Sequence, residues 1–328
     1  MDTKALALIQ TLADGRWHSG QALAQALGLS RAAVWKRLGA LEDLLGLKVE
    51  SRRGKGYRLV HALELLNESA IAAELAESES RALERLYLLP LIDSTNDYLR
   101  ERLPRQVGSG VACLAEHQTA GRGRRGRPWV STFGKNLYLS LAWRFDLPLA
   151  QLSGLSLAVG VAVAQGLEAL GLRGHGLKWP NDLLLEGRKL GGILVEAGGE
   201  TAGPCHAIIG LGVNLELDTV AGRAIDQPWT DLRRHLDPWP GRNRLAGNLL
   251  SRLIAACQAY QQAGLEPVLE AWRPWDLLLG RPVTLTLGER RIQGRHLGLD
   301  ASGGLRLETS QGIQVWHAGE VSLRAREA

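Results

Sequence analysis

Three runs of apolar residues at helical spacing crowd into the first 45 positions, and glycine-bearing breaks separate them. Ala5 to Leu12 is the first and ends at Asp14-Gly15. Gly20 to Leu27 is the second, behind Ser19 as an N-cap; Gly28-Leu29 then makes a turn. Ser30 caps the third, which runs to about Leu44 with Val34, Leu38 and Leu41 on one face. Leu47 to Ser51 and Tyr57 to Leu59 follow as short extended pieces. Between them lies a basic, glycine-bearing tip, Arg52-Arg53-Gly54-Lys55-Gly56, the pattern of a β-hairpin.

Charge respects the same boundary. Residues 1–65 hold ten Lys/Arg against six Asp/Glu, a net +4, and the other 263 hold 29 against 28, a net +1. A basic first fifth joined to a nearly neutral remainder points to a small nucleic-acid-binding module attached to something else. Helix, helix–turn–helix and hairpin is the plan of a winged helix-turn-helix, and residues 20–39 resemble that family position by position. Ala24 lets two helices approach, Gly28 permits the turn, and Val34 fills the space between them. The third helix would present Arg31, Ala32, Trp35, Lys36 and Arg37 to a major groove. Arg52, Arg53 and Lys55 of the hairpin would reach backbone phosphates. Small three-helix modules with basic loops also serve protein contacts, which is the competing reading.

The remaining sequence is that of a folded protein. At 328 residues there is room for roughly two domains and a core that needs no disulfides. Hydrophobic residues at 45% and charged ones at 22% exclude wholesale disorder. Cys113, Cys205 and Cys257 are too far apart for a disulfide framework or a zinc set and fit a reducing, cytoplasmic setting. Residues 1–10 lack the pattern of a secretory signal. Leu152 to Leu172, interrupted by Gln165, Glu168 and glycines, reads as a buried helix and not as a membrane span.

Leu66 to Arg85, rich in Ala, Glu and Leu, reads as helix and tether. From Leu86 to Gly264 strand-like runs (Val111 to Glu116, Leu137 to Trp143, Ile208 to Leu217) mix with helix-like ones (Ser94 to Leu103, Leu152 to Leu170, Arg244 to Ala263). That mixture predicts an α/β or α+β domain. Pro282 to Leu287, Arg291 to Leu299, Leu305 to Thr309 and Ile313 to His317 are short strands between Gly, Asp and Ser turns, which suggest a small β-barrel.

The most informative chemistry lies in Glu116-His117-Gln118-Thr119-Ala120-Gly121-Arg122-Gly123-Arg124-Arg125-Gly126-Arg127-Pro128-Trp129. Glycines let a backbone approach an anion, and arginines offer forked donors to phosphate or carboxylate. No Gly-Lys-Ser/Thr ends the run, so it is no P-loop, and nothing after it completes a dinucleotide fingerprint. Composition alone leaves a disordered RNA-binding tail, a basic surface loop, or an ordered loop over a phosphorylated ligand. A second stretch, Leu177-Lys178-Trp179-Pro180-Asn181-Asp182 and onward to Glu196, reads as strand, turn, strand. Its Lys178 could stabilise a transferring phosphoryl group, or be an ordinary lysine at a strand end. A third, Gly210 to Leu215, is an apolar strand carrying a polar amide at Asn214.

Together, in this order and spacing and over essentially the whole length, these stretches resemble the bacterial bifunctional biotin–protein ligases that also repress the biotin operon. The resemblance implies an α+β multidomain chain. A winged helix-turn-helix would occupy 1–65, a central mixed α/β ligase domain like those of class II synthetases 66–268, and a small SH3-like β-barrel 269–328. It implies that biotin and ATP condense to biotinyl-5′-AMP and pyrophosphate, and that the biotinyl group then passes to a lysine of the biotin carboxyl carrier protein of acetyl-CoA carboxylase. Ser94, Thr95, Asn96 and Gln118 would hold the biotin head, although Asp93-Ser94-Thr95 is equally a helix cap. Arg122, Gly123 and Arg124 would form the ligand loop, with both arginines facing carboxylate and phosphates. Lys178 would neutralise the bridging oxygens; Trp129, Asn214 and, less directly, Lys189 would take the nucleotide. Magnesium is implied by the ATP chemistry, but no ligand cluster marks its place, and no metal-binding residues are assigned. Operator DNA and a homodimer formed with the adenylate bound are the implied regulatory partners. The segment from Leu217 to Leu236, with its Asp226-Gln227-Pro228-Trp229-Thr230, departs from the pattern and puts that coupling in question.

Three rivals make different demands. A lipoate–protein ligase shares the adenylate chemistry but lacks the Gly-Arg loop and the winged helix. A non-catalytic ligand-sensing transcription factor would have no use for Lys178 as a charge stabiliser. An RNA-binding protein led by the Gly-Arg loop would spread basic charge over the middle of the chain, where it is close to zero.

Overall fold

The computed structural model describes residues 2–102, 109–199, 203–217, 219–317 and 321–325. Helices α1 (Thr3–Leu12), α2 (Gly20–Leu27) and α3 (Arg31–Leu45) are each opened by a short polar cap. The side chains of Asp2, Ser19 and Ser30 accept from the backbone N–H of Ala5, Ala22 and Ala33, which satisfies a helix-end donor in each case. Gly28 sits at φ +59, in the left-handed region that glycine adopts without a Cβ penalty, and its N–H closes α2 on Ala24 and Gln25. Strands β1 (Val49–Arg52) and β2 (Gly56–Leu59) pair antiparallel as the wing. Leu8, Ile9, Leu12, Leu23, Val34, Leu38 and Leu41 fill the module, and Phe133, Leu63, Leu65 and Leu91 pack against them, so the module is docked on the rest of the chain.

The tether is two short helices instead of one. Asn67 caps α4 (Glu68–Ala72), and α5 (Glu77–Ala82) starts afresh. Where α4 ends, the Ile71 carbonyl lies against Gly247: a Cβ there would meet it at 2.4 Å.

A seven-stranded sheet forms the centre: β3 (Arg85–Leu89), β4 (Val111–Ala115), β5 (Asn136–Phe145), β6 (His175–Lys178), β7 (Asp182–Leu185), β8 (Arg188–Gly199) and β9 (Cys205–Asn214). Its order is β3-β4-β5-β9-β8-β7-β6, parallel only between β3 and β4. Both faces are covered, and the strand period of two divides them. Val111 and Cys113 pack with Leu99 of α6 (Thr95–Arg100), while Ala112 and Leu114 face the opposite core. There α7 (Leu155–Ala169) and α8 (Arg242–Ala263) lie together. The apolar run expected as a buried helix is α7 with one preceding 3-10 turn. Leu103, the last residue of the helix expected after Ser94, lies outside the described residues.

Beyond α9 (Glu266–Trp272) an antiparallel sheet closes the chain in the order β13-β12-β11-β10-β14. Its strands are β10 (Pro282–Leu287), β11 (Arg290–Leu299), β12 (Leu305–Thr309), β13 (Gly312–Trp316) and β14 (Val321–Ala325). Four of them match the strands expected of the small barrel; β14, pairing with β10, is additional. Its core is continuous with that of the central domain through Val283, Leu285, Leu305 and Leu307. At the joint the backbone N–H of Leu277 donates to Leu177 at 3.1 Å, and the Trp179 indole N–H donates to the Gly303 carbonyl at 3.1 Å. His296 Nδ1 accepts from Gly298 N–H, which leaves Nε2 to donate to Asp276 at 2.7 Å in full burial.

Candidate active site and nucleic-acid interface

The residues marked in the sequence between Ser94 and Asn214 line one cavity of about 310 Å³. At one end the N-terminus of α6 meets β5. Ser94 caps the helix, its Oγ accepting from Asp97 N–H at 3.4 Å, so the cap reading of this residue holds in the structure. Thr95 donates through N–H and Oγ1 to Gln118 Oε1, at 2.8 and 3.0 Å. The buried Ser140 hydroxyl lies 2.7 Å from Thr95 Oγ1 and 2.6 Å from Asn96 Oδ1, and Asn96 Nδ2 donates to Glu196 at 2.7 Å. A Cβ at Gly210 would meet Asn96 Oδ1 at 2.4 Å, so any larger residue here would push the Asn96 amide out of its bonds to Ser140 and Glu196. The result is a fixed array of amide and hydroxyl groups.

The Gly-Arg stretch is an ordered loop. Trp129 N–H returns to Gly121 O and Gly123 N–H to Arg127 O, both at 2.8 Å, and Arg125 takes up a left-handed φ of +62 between them. Its two leading arginines are placed differently. Arg122 is ion-paired with Asp97 and with Glu196, the latter at 3.0 Å. Arg124 donates to Asn181 Oδ1 at 3.2 Å, and burial pushes its guanidinium pKa down.

Across the cavity, the turn from β6 into β7 carries Lys178 and Asp182. Lys178 Nζ and Lys189 Nζ each lie 2.7 Å from Asp182, one on each carboxylate oxygen. Burial pushes the Asp182 carboxyl up, but Lys189 and Lys178 outweigh it and hold it below the ordinary carboxylate value. Trp129 covers Gly212 so closely that a Cβ there would meet the indole at 2.7 Å. Lys189 Nζ stands 5.6 Å from the Trp129 ring centre. Asn214 donates to Thr230 O at 3.1 Å, so its amide is oriented by the following loop.

That loop lies in the segment whose sequence departs from the family pattern. Pro228 O accepts from Lys189 N–H at 2.9 Å and Thr230 N–H donates to Lys189 O at 3.0 Å, which lays residues 228–230 alongside β8. Ile225, Asp226, Gln227 and Trp229 thereby join the cavity wall. Asp97, Ser140, Glu196 and Trp229 escaped the sequence reading. Asp97 has the local look of a first-turn helix acid, Ser140 and Glu196 enter the site only through the long-range pairing of β5, β8 and β9, and Trp229 enters on the loop laid alongside Lys189.

On the N-terminal module Arg31, Ala32, Trp35 and Lys36 share the exposed face of α3, and Arg52, Arg53 and Lys55 stand exposed on the wing. Arg37 does not join them: it turns back and pairs with Asp2 at 3.1 Å, tying α3 to the start of α1.

Residues 4–58 match an HTH domain model, 88–214 the Biotin/lipoate A/B protein ligase family, and 278–324 the Biotin protein ligase C terminal domain. The chain is 43% identical to Bifunctional ligase/repressor BirA of Escherichia coli over 99% of both chains. It is 38% identical to Biotin--[acetyl-CoA-carboxylase] ligase of Mycobacterium tuberculosis over 65% of this chain and 78% of that one. It is also similar to the biotin protein ligase of Aquifex aeolicus solved with biotin and ATP, with a TM-score of 0.62 at 30% identity, over 74% of this chain and 100% of that one.

Proposed function

The chain belongs to the family of bifunctional biotin ligase/repressors, and on that premise we propose how its residues divide the two tasks. Residues 1–65 form the DNA-binding module, 66–268 the catalytic domain and 269–328 the C-terminal domain. The protein is a biotin–protein ligase with biotin and ATP as substrates and a DNA-binding repressor. The observation that carries the residue assignment is the shared cavity, which sets the Thr95–Gln118–Ser140 array at one end, the Gly-Arg loop along the side and Lys178 opposite.

In the first step the biotin carboxylate attacks the α-phosphorus of ATP and pyrophosphate leaves. In the second the carrier lysine attacks the mixed anhydride and AMP leaves. Neither step needs a covalent enzyme intermediate, so the protein acts by positioning and by charge. Thr95, Asn96, Gln118 and Ser140, with Ser94 capping their helix, hold the polar head of biotin. Arg122, fixed by Asp97 and Glu196, closes that end, while Gly123 and Arg124 bring donors to the carboxylate and α-phosphate. Lys178 stabilises charge on the bridging oxygens. Trp129, Lys189 and Asn214 receive the nucleotide, with Trp229 as a further wall.

Magnesium would enter with the triphosphate. Among the described residues no three His, Cys, Asp or Glu side chains gather to hold a cation, and Asp182 is already shared by two lysines. The acceptor is the carboxyl carrier protein of acetyl-CoA carboxylase, and the operator is that of the biotin operon. It is bound by a homodimer with biotinyl-5′-AMP in place, and the protein works in the cytoplasm, where ATP, carrier and operon meet. Biotin-dependent exchange of labelled pyrophosphate into ATP tests the chemistry, with lipoate as the parallel substrate. Exchange with biotin alone is expected. Exchange with lipoate alone would move the site to the sister activity, and binding of biotin without exchange would remove Lys178 from catalysis.

A further inference from the structure

Trp35 is 67% exposed, more than Leu44 at 52%, Val60 at 37%, Ile313 at 57% or Val315 at 43%, the other large hydrophobic side chains that stand out of the described surface. A tryptophan has more apolar area to gain by burial than any of these, and this one stands in water on the helix that resembles a recognition helix. Its surroundings are equally bare. One turn before it on α3 is exposed Ala32, and one turn after it Gly39, where an added Cβ would meet nothing within 4 Å. Arg31 and Lys36 flank this strip and stand exposed. The one further basic residue of this stretch, Arg37, is withdrawn to Asp2.

Such a strip has little with which to read most bases. Indole offers one N–H and no acceptor, so it cannot form the bidentate pairs by which Arg reads guanine or Asn reads adenine. Alanine offers a methyl and glycine offers nothing. One group on the major-groove floor suits an apolar surface, the C5 methyl of thymine. The flanking cations and the three exposed basic residues of the wing supply the complementary charge that brings a duplex against this face.

We propose that Trp35, with the Ala32 methyl beside it, is the thymine-reading residue of the repressor module and selects sites through thymine C5 methyl groups. The proposal rests on the assignment of residues 1–65 to DNA binding and names what that module reads.

The test uses the full chain with biotin and ATP, and duplexes it selects from a randomised pool. On the selected duplex each thymine is replaced in turn by deoxyuridine, which removes only the methyl. At one or more positions the swap should weaken wild-type binding by about three- to five-fold per methyl, the value of one buried carbon. In Trp35→Ala the same swaps should be neutral, while the salt dependence of binding, set by phosphate contacts, stays as in the wild type. Trp35→Phe should restore part of the discrimination. Deoxyuridine swaps that are neutral in the wild type, or equally costly in Trp35→Ala, overturn the proposal and leave the DNA-binding assignment intact. Failure to select any duplex overturns both. A change in self-association of DNA-free Trp35→Ala with an undiminished methyl effect assigns the face to a second copy and also overturns it.

Discussion

Arg31, Lys36, Arg52, Arg53 and Lys55 stand exposed on the N-terminal module with no ion pair among the described residues, whereas Arg122, Lys178 and Lys189 of the cavity each rest on a carboxylate. On the proposed assignment of residues, the difference follows from the two targets. A duplex is a dense line of phosphates that releases counterions when cations meet it, so unpaired, hydrated side chains give both steering and affinity. A cavity that must hold several cations close together cannot leave them to repel one another. Asp182, Asp97 and Glu196 fix their geometry and keep the net charge low until phosphate or carboxylate arrives.

The comparison breaks most readily at Lys178. Its replacement by Met keeps the bulk and removes the charge, and leaves Asp182 paired with Lys189. Pyrophosphate exchange should fall by on the order of 10² to 10³, the usual loss when a positioned charge stabiliser is removed, with biotin affinity changed by no more than about three-fold. A loss of less than about ten-fold would mean that the lysine serves Asp182 and not the reaction.

Removing the wing cations together (Arg52→Ala, Arg53→Ala, Lys55→Ala) should act on the other side alone. The slope of log affinity against log salt should flatten by roughly 0.9 for each phosphate left without its cation, while biotin transfer to the carrier is untouched. An unchanged slope would place the wing away from the phosphates.

How far each region could be read beforehand differs for the same physical reason that their charges differ. Ser19, Gly28 and Ser30 mark boundaries that depend on neighbours within four residues, and all three behave as expected. The Gly-Arg loop and the Lys178–Asp182 turn are likewise local and stand out by residue type, although composition alone leaves their chemistry open without the family resemblance. The carboxylates on Arg122, those of Asp97 and Glu196, were not legible. Glu196 reaches Arg122 across 74 positions, and Ser140 reaches Asn96 across 44, through the order of strands in the sheet. Nor does composition show that Gly210 and Gly212 are cradles for Asn96 and Trp129, because a glycine in a strand looks the same wherever its neighbours lie. The packing of the tether is hidden for a similar reason: Ile71 of α4 lies against Gly247 of α8, far away in sequence.

The smallest effect, and the sharpest contrast with the wing, is expected at Asp182. Its carboxyl is held below the ordinary value of 3.8, because the two lysines outweigh the cost of burial. A depressed folded-state pKa means that the unfolded chain binds the proton more readily. The stabilisation is therefore present above pH 3.8 and is lost as pH falls through the lower folded value. Asp182→Asn should lower stability at pH 7 by about 1–2 kcal/mol, since two mostly buried lysines lose their counter-charge. Urea unfolding followed by tryptophan fluorescence should show the gap to wild type narrowing only below pH 3.8. Raising salt from about 0.05 to 0.5 M should change the gap little, because a mostly buried pair is poorly screened, whereas DNA binding by the wing should collapse over the same range. A gap that closes with salt, or one that persists unchanged at the lowest pH where the protein still folds, would show that the cavity's charges are solvated like those of the module.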